Sequence, residues 1–367
     1  MSPDPAPPTP PPSTPPSTHP GRGGPSRTVL ALTVALIGVG GILVGVVLGP
    51  LIAMTSSIVG GADAEGGRDD APALPSSDQS GFVFTRLDNP GRTVVTDQQD
   101  VIVATLTDGA RTTTIAGPVR TFSEPRYTHA AVQTATWVRI APQPWHPGAE
   151  QQPWVRPWLA AMLVDTSPDV LAVATEYMQD APDVVDDDGL RIAGNASFGP
   201  EISETRRAIG ADFYDYLGVP WEFADGVSKE PEDEQYSALD CSGYLRLVYG
   251  YRQGYPLQWG SSPGPGLPRR ANDMATVGPG TMLIPDRGER PTELDRLQAG
   301  DLLFFTTDDE PDIDHSGIYL GRDTDGLHRF ISSRATPNGP TLGDMGGASV
   351  LDGDGFFAER FRTARRL

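Results

Sequence analysis

Cysteine is all but absent from this chain of 367 residues: Cys241 is the only one. A lone cysteine closes no intrachain disulfide, which leaves it as a buried thiol, an intermolecular link or a nucleophile. Lysine also occurs once, at Lys229, and the arginines form no basic run. With a net charge of −20, the chain carries no electrostatic footprint for nucleic acid. Histidine is confined to positions 19, 129, 146, 315 and 328, and none stands at a zinc-binding spacing. No metal and no cofactor is therefore expected. Long apolar runs are missing everywhere except one place near the start.

That run lies between Arg27 and Asp63, where no charged residue occurs. Its core, 28–54, is long enough to cross a bilayer as a single-pass transmembrane helix. It is longer than a signal-peptide core and follows too long a leader, so it reads as a retained anchor. Arg22 and Arg27 precede it and Asp63 and Glu65 follow it, a charge order that predicts a cytoplasmic N-terminus and an extracytoplasmic bulk. Residues 1–27 hold 11 prolines and few large apolar side chains, which predicts a disordered tail. Residues 55–81 are small, polar and acidic, and read as a linker.

From 82 to 142 the pattern is that of a small β-rich region. Val101–Leu106, an Asp108-Gly109 turn and Thr112–Ile115 form a hairpin pattern, and Val119–Phe122 and Thr134–Ile140 add two strands. Its expected role is packing or spacing, with wall binding the alternative. The connector 143–198 carries Trp145, Trp154 and Trp158, expected in a core rather than on a sugar-binding face. Ser167-Pro168-Asp169 marks a helix start, with Val170, Leu171, Ala174, Tyr177 and Met178 on one face. Asp186-Asp187-Asp188-Gly189 lacks the alternating ligands of a calcium loop and reads as a polar turn.

The segment 199–367 carries the chemistry. Glu204–Leu217 is helix-like, and a second helix begins at Cys241, with Tyr244, Leu247, Val248 and Tyr251 recurring on one face. Strand patterns at Leu302–Phe305, Ser316–Leu320 and Leu327–Ser332 complete an α+β arrangement. A thiol at a helix start gains from unpaired N–H groups that favour its anion and can hold an oxyanion, and Asp240 is placed to cap that start. His315, at the head of a strand, supplies the base for a Cys–His pair.

These pieces resemble the NlpC/P60 family of papain-like cell-wall cysteine peptidases, over about 40% of the chain. The resemblance is carried by Gly218-Val219-Pro220-Trp221, Leu239-Asp240-Cys241-Ser242-Gly243-Tyr244, Leu267-Pro268-Arg269-Arg270, Ala299-Gly300-Asp301-Leu302-Leu303-Phe304-Phe305 and Asp314-His315-Ser316-Gly317-Ile318-Tyr319-Leu320-Gly321. It implies a papain-like domain, with the nucleophile helix packed on an antiparallel sheet, that hydrolyses peptide bonds in peptidoglycan stem peptides. It also implies Cys241 as nucleophile and His315 as base, with Trp221, Asp240 and Ser242 at the substrate. Trp221 departs from the tyrosine that the family often has there. A third polar residue is expected on the strand after His315: alignment favours Ser332, and side-chain chemistry favours His328, the stronger partner for an imidazole. The sequence thus predicts a membrane-anchored cysteine peptidase. An amidase or acyltransferase on the same fold, and a catalytically silent wall-binding protein, are the alternatives.

Overall fold

A computed structural model describes residues 81–203 and 206–367. The predicted tail 1–27, the transmembrane helix 28–54 and the linker up to residue 80 lie outside the described residues. Among the described residues, no helix is long and apolar enough to cross a membrane.

Alternation of buried and solvated side chains builds the first sheet. Strands β1 (Val83–Leu87), β2 (Arg92–Thr96), β3 (Ile102–Thr107), β4 (Thr112–Ser123) and β5 (Ala131–Ile140) pair antiparallel in sequence order. Gly109, at φ 77°, turns β3 into β4 as the Asp-Gly pair predicts. The two strands expected at 112–115 and 119–122 are one strand, kinked by an irregularity between Ala116 and Arg120. Pro118, which has no N–H for the ladder, falls inside it. Val95, Val103, Leu106, Ile115 and Trp137 bury one face against Trp145 and helix α1 (Val155–Val164). Trp145 donates to Thr93 Oγ1 at 3.0 Å, and Trp154 meets Trp158 edge-on beside the same core. The tryptophan cluster is packing, as expected.

The other end of this sheet runs into the main core. Phe122, Val132 and Val138 share one apolar cluster with Leu302, Phe304, Ile318 and Leu320. Asp169 ties the junction by pairing with Arg120 and accepting from the Val138 N–H at 2.6 Å. The same carboxylate caps helix α2 (Val170–Thr175) through the Ala172 N–H at 3.0 Å. The helix therefore starts after Asp169, later than Ser167-Pro168-Asp169 suggested, because this buried carboxylate serves as the cap. Asp186 closes the expected polar turn, accepting from the Asp188 and Leu190 N–H groups.

The helix expected over 204–217 is shorter than the pattern implied. Residues 201–203 and 206–207 pair as a short ladder, and Gly210 takes φ 123°, outside helical space. Only α3 (Phe213–Leu217) is helical, started by a reciprocal capping box between Asp212 and Asp215. Helix α4 (Cys241–Leu245) continues into a π-helical stretch, Arg246–Arg252. Tyr244, Leu247 and Val248 are fully buried, and Tyr251 sits half-buried at the margin.

After α5 (Ala271–Thr276) come β6 (Thr281–Ile284), β7 (Leu302–Phe305), β8 (His315–Arg322), β9 (His328–Arg334), β10 (Gly339–Thr341), α6 (Phe356–Arg360) and β11 (Phe361–Arg366). The strands form an antiparallel six-stranded sheet ordered β6-β11-β7-β8-β9-β10. One face packs on α4 through Phe304, Ile318 and Ile331; the other holds Phe305, Tyr319, Phe330 and Phe357. The result is α+β, with the helix of Cys241 laid on an antiparallel sheet. Strand β11 escaped the sequence pattern because its arginines are buried. Arg366 pairs with Asp301 at 2.7 Å, and Arg365 donates to Ala275 of α5.

Candidate active site

Cys241 is the first residue of α4, and its local structure is built from charge. Asp240 caps the helix, its Oδ1 accepting from the Gly243 N–H at 2.7 Å and from the Ser242 hydroxyl at 3.0 Å. Arg269 donates to both oxygens of that carboxylate and to Ser242 Oγ at 2.7 Å. Asp212, beside Arg269, pairs at 3.0 Å with Arg246, which has no exposure at all. Burial works against the Asp240 charge, but Arg269 outweighs it and holds the carboxyl below the usual range. Asp212, Arg246 and Arg269 form the floor of the site. Sequence reading gave them no role, although Arg269 stands in the Leu267-Pro268-Arg269-Arg270 piece.

The sulfur above this floor is nearly enclosed. Cys241 is 8% exposed, and its Sγ lies 3.7 Å from the Asp314 carbonyl oxygen. Burial and then the Asp240 charge push the thiol up to about 12, with neighbouring Ser316 pulling weakly the other way. The helix-start advantage is thus outweighed: a site dehydrated on this scale keeps its proton on sulfur.

His315 heads β8, between the two residues that touch the sulfur. Its ring lies 5.8 Å from Phe305 and 5.4 Å from Phe357, on the sheet face away from α4. Strand alternation explains this: Ser316, Ile318 and Leu320 point toward α4, and His315, Gly317 and Tyr319 point the other way. Burial, then Arg334, lower His315 to about 3, against a weak opposing pull from Asp240. Its Nε2 is buried with no hydrogen-bond partner. The hydrogen bond expected between Cys241 and His315 is not formed. The two groups meet the same strand end from opposite sides, both uncharged.

His328 is corrected outright as the third residue. It stands opposite Arg322 in the β8–β9 register, the far end of the strand from His315. At about 3.3 Å per residue this is roughly 20 Å away. Its Nδ1 lies 3.1 Å from both oxygens of Asp352, so it is a structural group of the strand start. Ser332 lies nearer: a Cβ on Gly317 would stand 3.2 Å from Ser332 Cβ, and its buried hydroxyl has no partner. Trp221 packs edge-on against Phe213 at 5.0 Å and Tyr251 at 5.9 Å, half-buried in the wall of the main core. Ser242 is spent on Asp240 and Arg269. A cleft of about 310 Å³ lined by Arg139, Asp165, Arg252 and Gln253 lies at the far end of the helical segment that begins at Cys241.

Residues 218–336 match the NlpC/P60 family. This stretch is an NlpC/P60 domain. The match spans Trp221, Cys241, Arg269, His315 and Ser332, so the family assignment covers both halves of the candidate site. Proteins of this family are in general cysteine peptidases that act on peptidoglycan, which sets the broad class of activity for the domain. Among solved structures, an NlpC/P60 family protein from Bacillus cereus is similar, at 13% identity over 77% of this chain and 78% of that chain, with a TM-score of 0.28. No curated protein matches the chain.

Proposed function

We propose that the chain is a membrane-anchored, extracytoplasmic cysteine peptidase that hydrolyses peptide bonds in peptidoglycan stem peptides. Cys241 is the nucleophile and His315 the base, and the described conformation is a closed resting state. The supporting observation is the seat of Cys241: first residue of a capped helix, touching Asp314 just before β8 and Ser316 within it, the neighbours of His315 on both sides. Catalytic hydrogen bonds are often unmade before substrate arrives, so the open pair is compatible with this role.

In the reaction the imidazole takes the thiol proton as the sulfur bonds to the peptide carbonyl carbon. The Gly243 N–H is taken by the Asp240 cap, which leaves the Cys241 and Ser242 N–H groups of the first turn to hold the developing oxyanion. The leaving amine receives the proton from His315, and water then releases the acyl group from sulfur. The anchor is supported by the uncharged run 28–54 with arginines before it and acids after it.

A second reading, a silent wall-binding protein, is favoured by one observation: the thiol is protonated and enclosed, with no base bonded to it. Incubating purified peptidoglycan with the protein and with Cys241→Ala separates the two. Peptide fragments released by the wild type alone support the peptidase. Equal release by both, or by neither while both bind wall, removes it. Membrane fractionation before and after deletion of 28–54 tests the anchor.

A further inference from the structure

Strand β9 ends in Arg334. The register that pairs Ile318 with Ile331 and Tyr319 with Phe330, continued to the strand end, sets Arg334 opposite His315. Antiparallel partners share a face, and these two do: the guanidinium stands 4.5 Å from the Phe357 ring centre and the His315 ring 5.4 Å from it. Arg334 is 5% exposed, yet no carboxylate lies within ion-pairing distance of it among the described residues. Its Nη1 donates to the Gly347 carbonyl at 2.6 Å, its Nη2 bonds Ser349 Oγ and reaches Thr341, and its buried Nε has no partner. Buried arginines are as a rule paired. One hydrogen-bonded only to neutral acceptors, with Glu124 and Asp344 beyond ion-pairing distance, still projects charge through a poorly screening interior.

The groups that face His315 can be named element by element. Strand β7 presents Phe305 and α6 presents Phe357, neither of them titratable. Strand β9 presents Arg334, and the α4 cap presents Asp240, the two charges that act on the ring. Cys241 is the titratable group next along α4. Asp240 is already engaged by Arg269 at 2.8 Å, and Glu124 and Asp344 act on Arg334 only from beyond ion-pairing distance, so Arg334 carries the least compensated charge beside the imidazole.

We propose that Arg334 is a positioning residue that acts through His315, its charge holding the imidazole unprotonated so that no thiolate–imidazolium pair stands in the resting site. The low His315 and the high Cys241 values agree with an uncharged pair at rest, with burial contributing first to each. The catalytic consequence rests on the function proposed above; the charge state of His315 does not.

The test is an NMR titration of the His315 ring in the wild type and in Arg334→Gln, Arg334→Met and Arg334→Lys. Methionine supplies a charge-free side chain that packs on Phe330 and Phe357, a second route if glutamine does not fold. The expected result is a wild-type ring neutral well below the ordinary 6.5. Both charge-free variants raise the midpoint by about one pH unit or more, a tenfold change in protonation, and lysine restores it. A wild-type midpoint near 6.5 overturns the proposal. So does a midpoint unmoved in the charge-free variants, which assigns the effect to burial alone. If the midpoint moves while Cys241→Ala still cleaves peptidoglycan, the peptidase reading falls and the action of Arg334 on His315 stands.

Discussion

Arg269 grips the carboxylate of Asp240 through two donors, at 2.8 and 3.3 Å, directly beneath the first turn of the Cys241 helix. The carboxylate in turn holds the Gly243 N–H, so the seat of Cys241 depends on a buried ion pair. Removing one partner strands the other charge. Arg269→Met is expected to cost ~3–5 kcal/mol in urea unfolding, the usual penalty for halving a buried pair. Arg269→Lys recovers part of it, because a single ammonium cannot bridge Asp240 and Ser242 together. Equal stability of wild type and Arg269→Met contradicts this account of the site floor.

The pH dependence of stability follows from His315. Burial and Arg334 lower the folded value to about 3, while the unfolded ring titrates near 6.5. Above 6.5 neither state binds the proton and the contribution of the neutral ring is fully present. As pH falls from 6.5 toward 3, the unfolded chain gains a proton that the folded chain refuses, and stability is lost through that window. The loss reaches about 1.4 kcal/mol per pH unit for one proton. Urea midpoints across this window should fall less steeply for His315→Gln than for the wild type; parallel curves contradict the buried neutral ring.

Reactivity of the thiol should follow its enclosure. Burial and the Asp240 charge hold Cys241 at about 12. A small alkylating reagent is expected to label the folded protein slowly at neutral pH, with the rate rising only in strongly alkaline buffer. The urea-unfolded chain should label with the ordinary cysteine profile, centred at about 8.5. Rapid labelling of the folded protein at neutral pH contradicts the closed resting state.

His328 bonds Asp352 at the far end of β8 and β9, and there it should matter to folding alone. His328→Asn is expected to lower the thermal midpoint while peptide release, measured well below that midpoint, stays within about twofold of wild type. A large loss of release without a loss of stability contradicts its assignment as a structural residue.

Much of the fold could be read from the sequence where period and turn chemistry agree. Leu302–Phe305 reads as a strand because four large apolar residues follow a Gly-Asp turn, and β7 has those bounds. The helix of Cys241 was legible from Tyr244, Leu247 and Val248. Elements whose chemistry is hidden were not legible. Strand β11 carries buried arginines that erase its apolar pattern, and residues 206–212 carry helix-forming composition into an extended segment that Gly210 breaks. At the site, the sequence marked Cys241, Asp240 and His315. The pull toward His328 came from judging partners by chemistry, whereas position along an antiparallel ladder decides which side chains meet. Arg246 and Arg334 escaped because a buried arginine looks like a surface one until its neighbours are known.

The central claim is that Cys241 carries the acyl group of a peptidoglycan stem peptide. Its most direct test is mass spectrometry of the protein after rapid acid quenching with purified stem peptide. The account predicts a transient adduct of the acyl fragment that maps to the peptide containing Cys241 and is absent from Cys241→Ser. Turnover of the stem peptide with the Cys241 peptide unmodified at every quench time, and undiminished in Cys241→Ser, would contradict it.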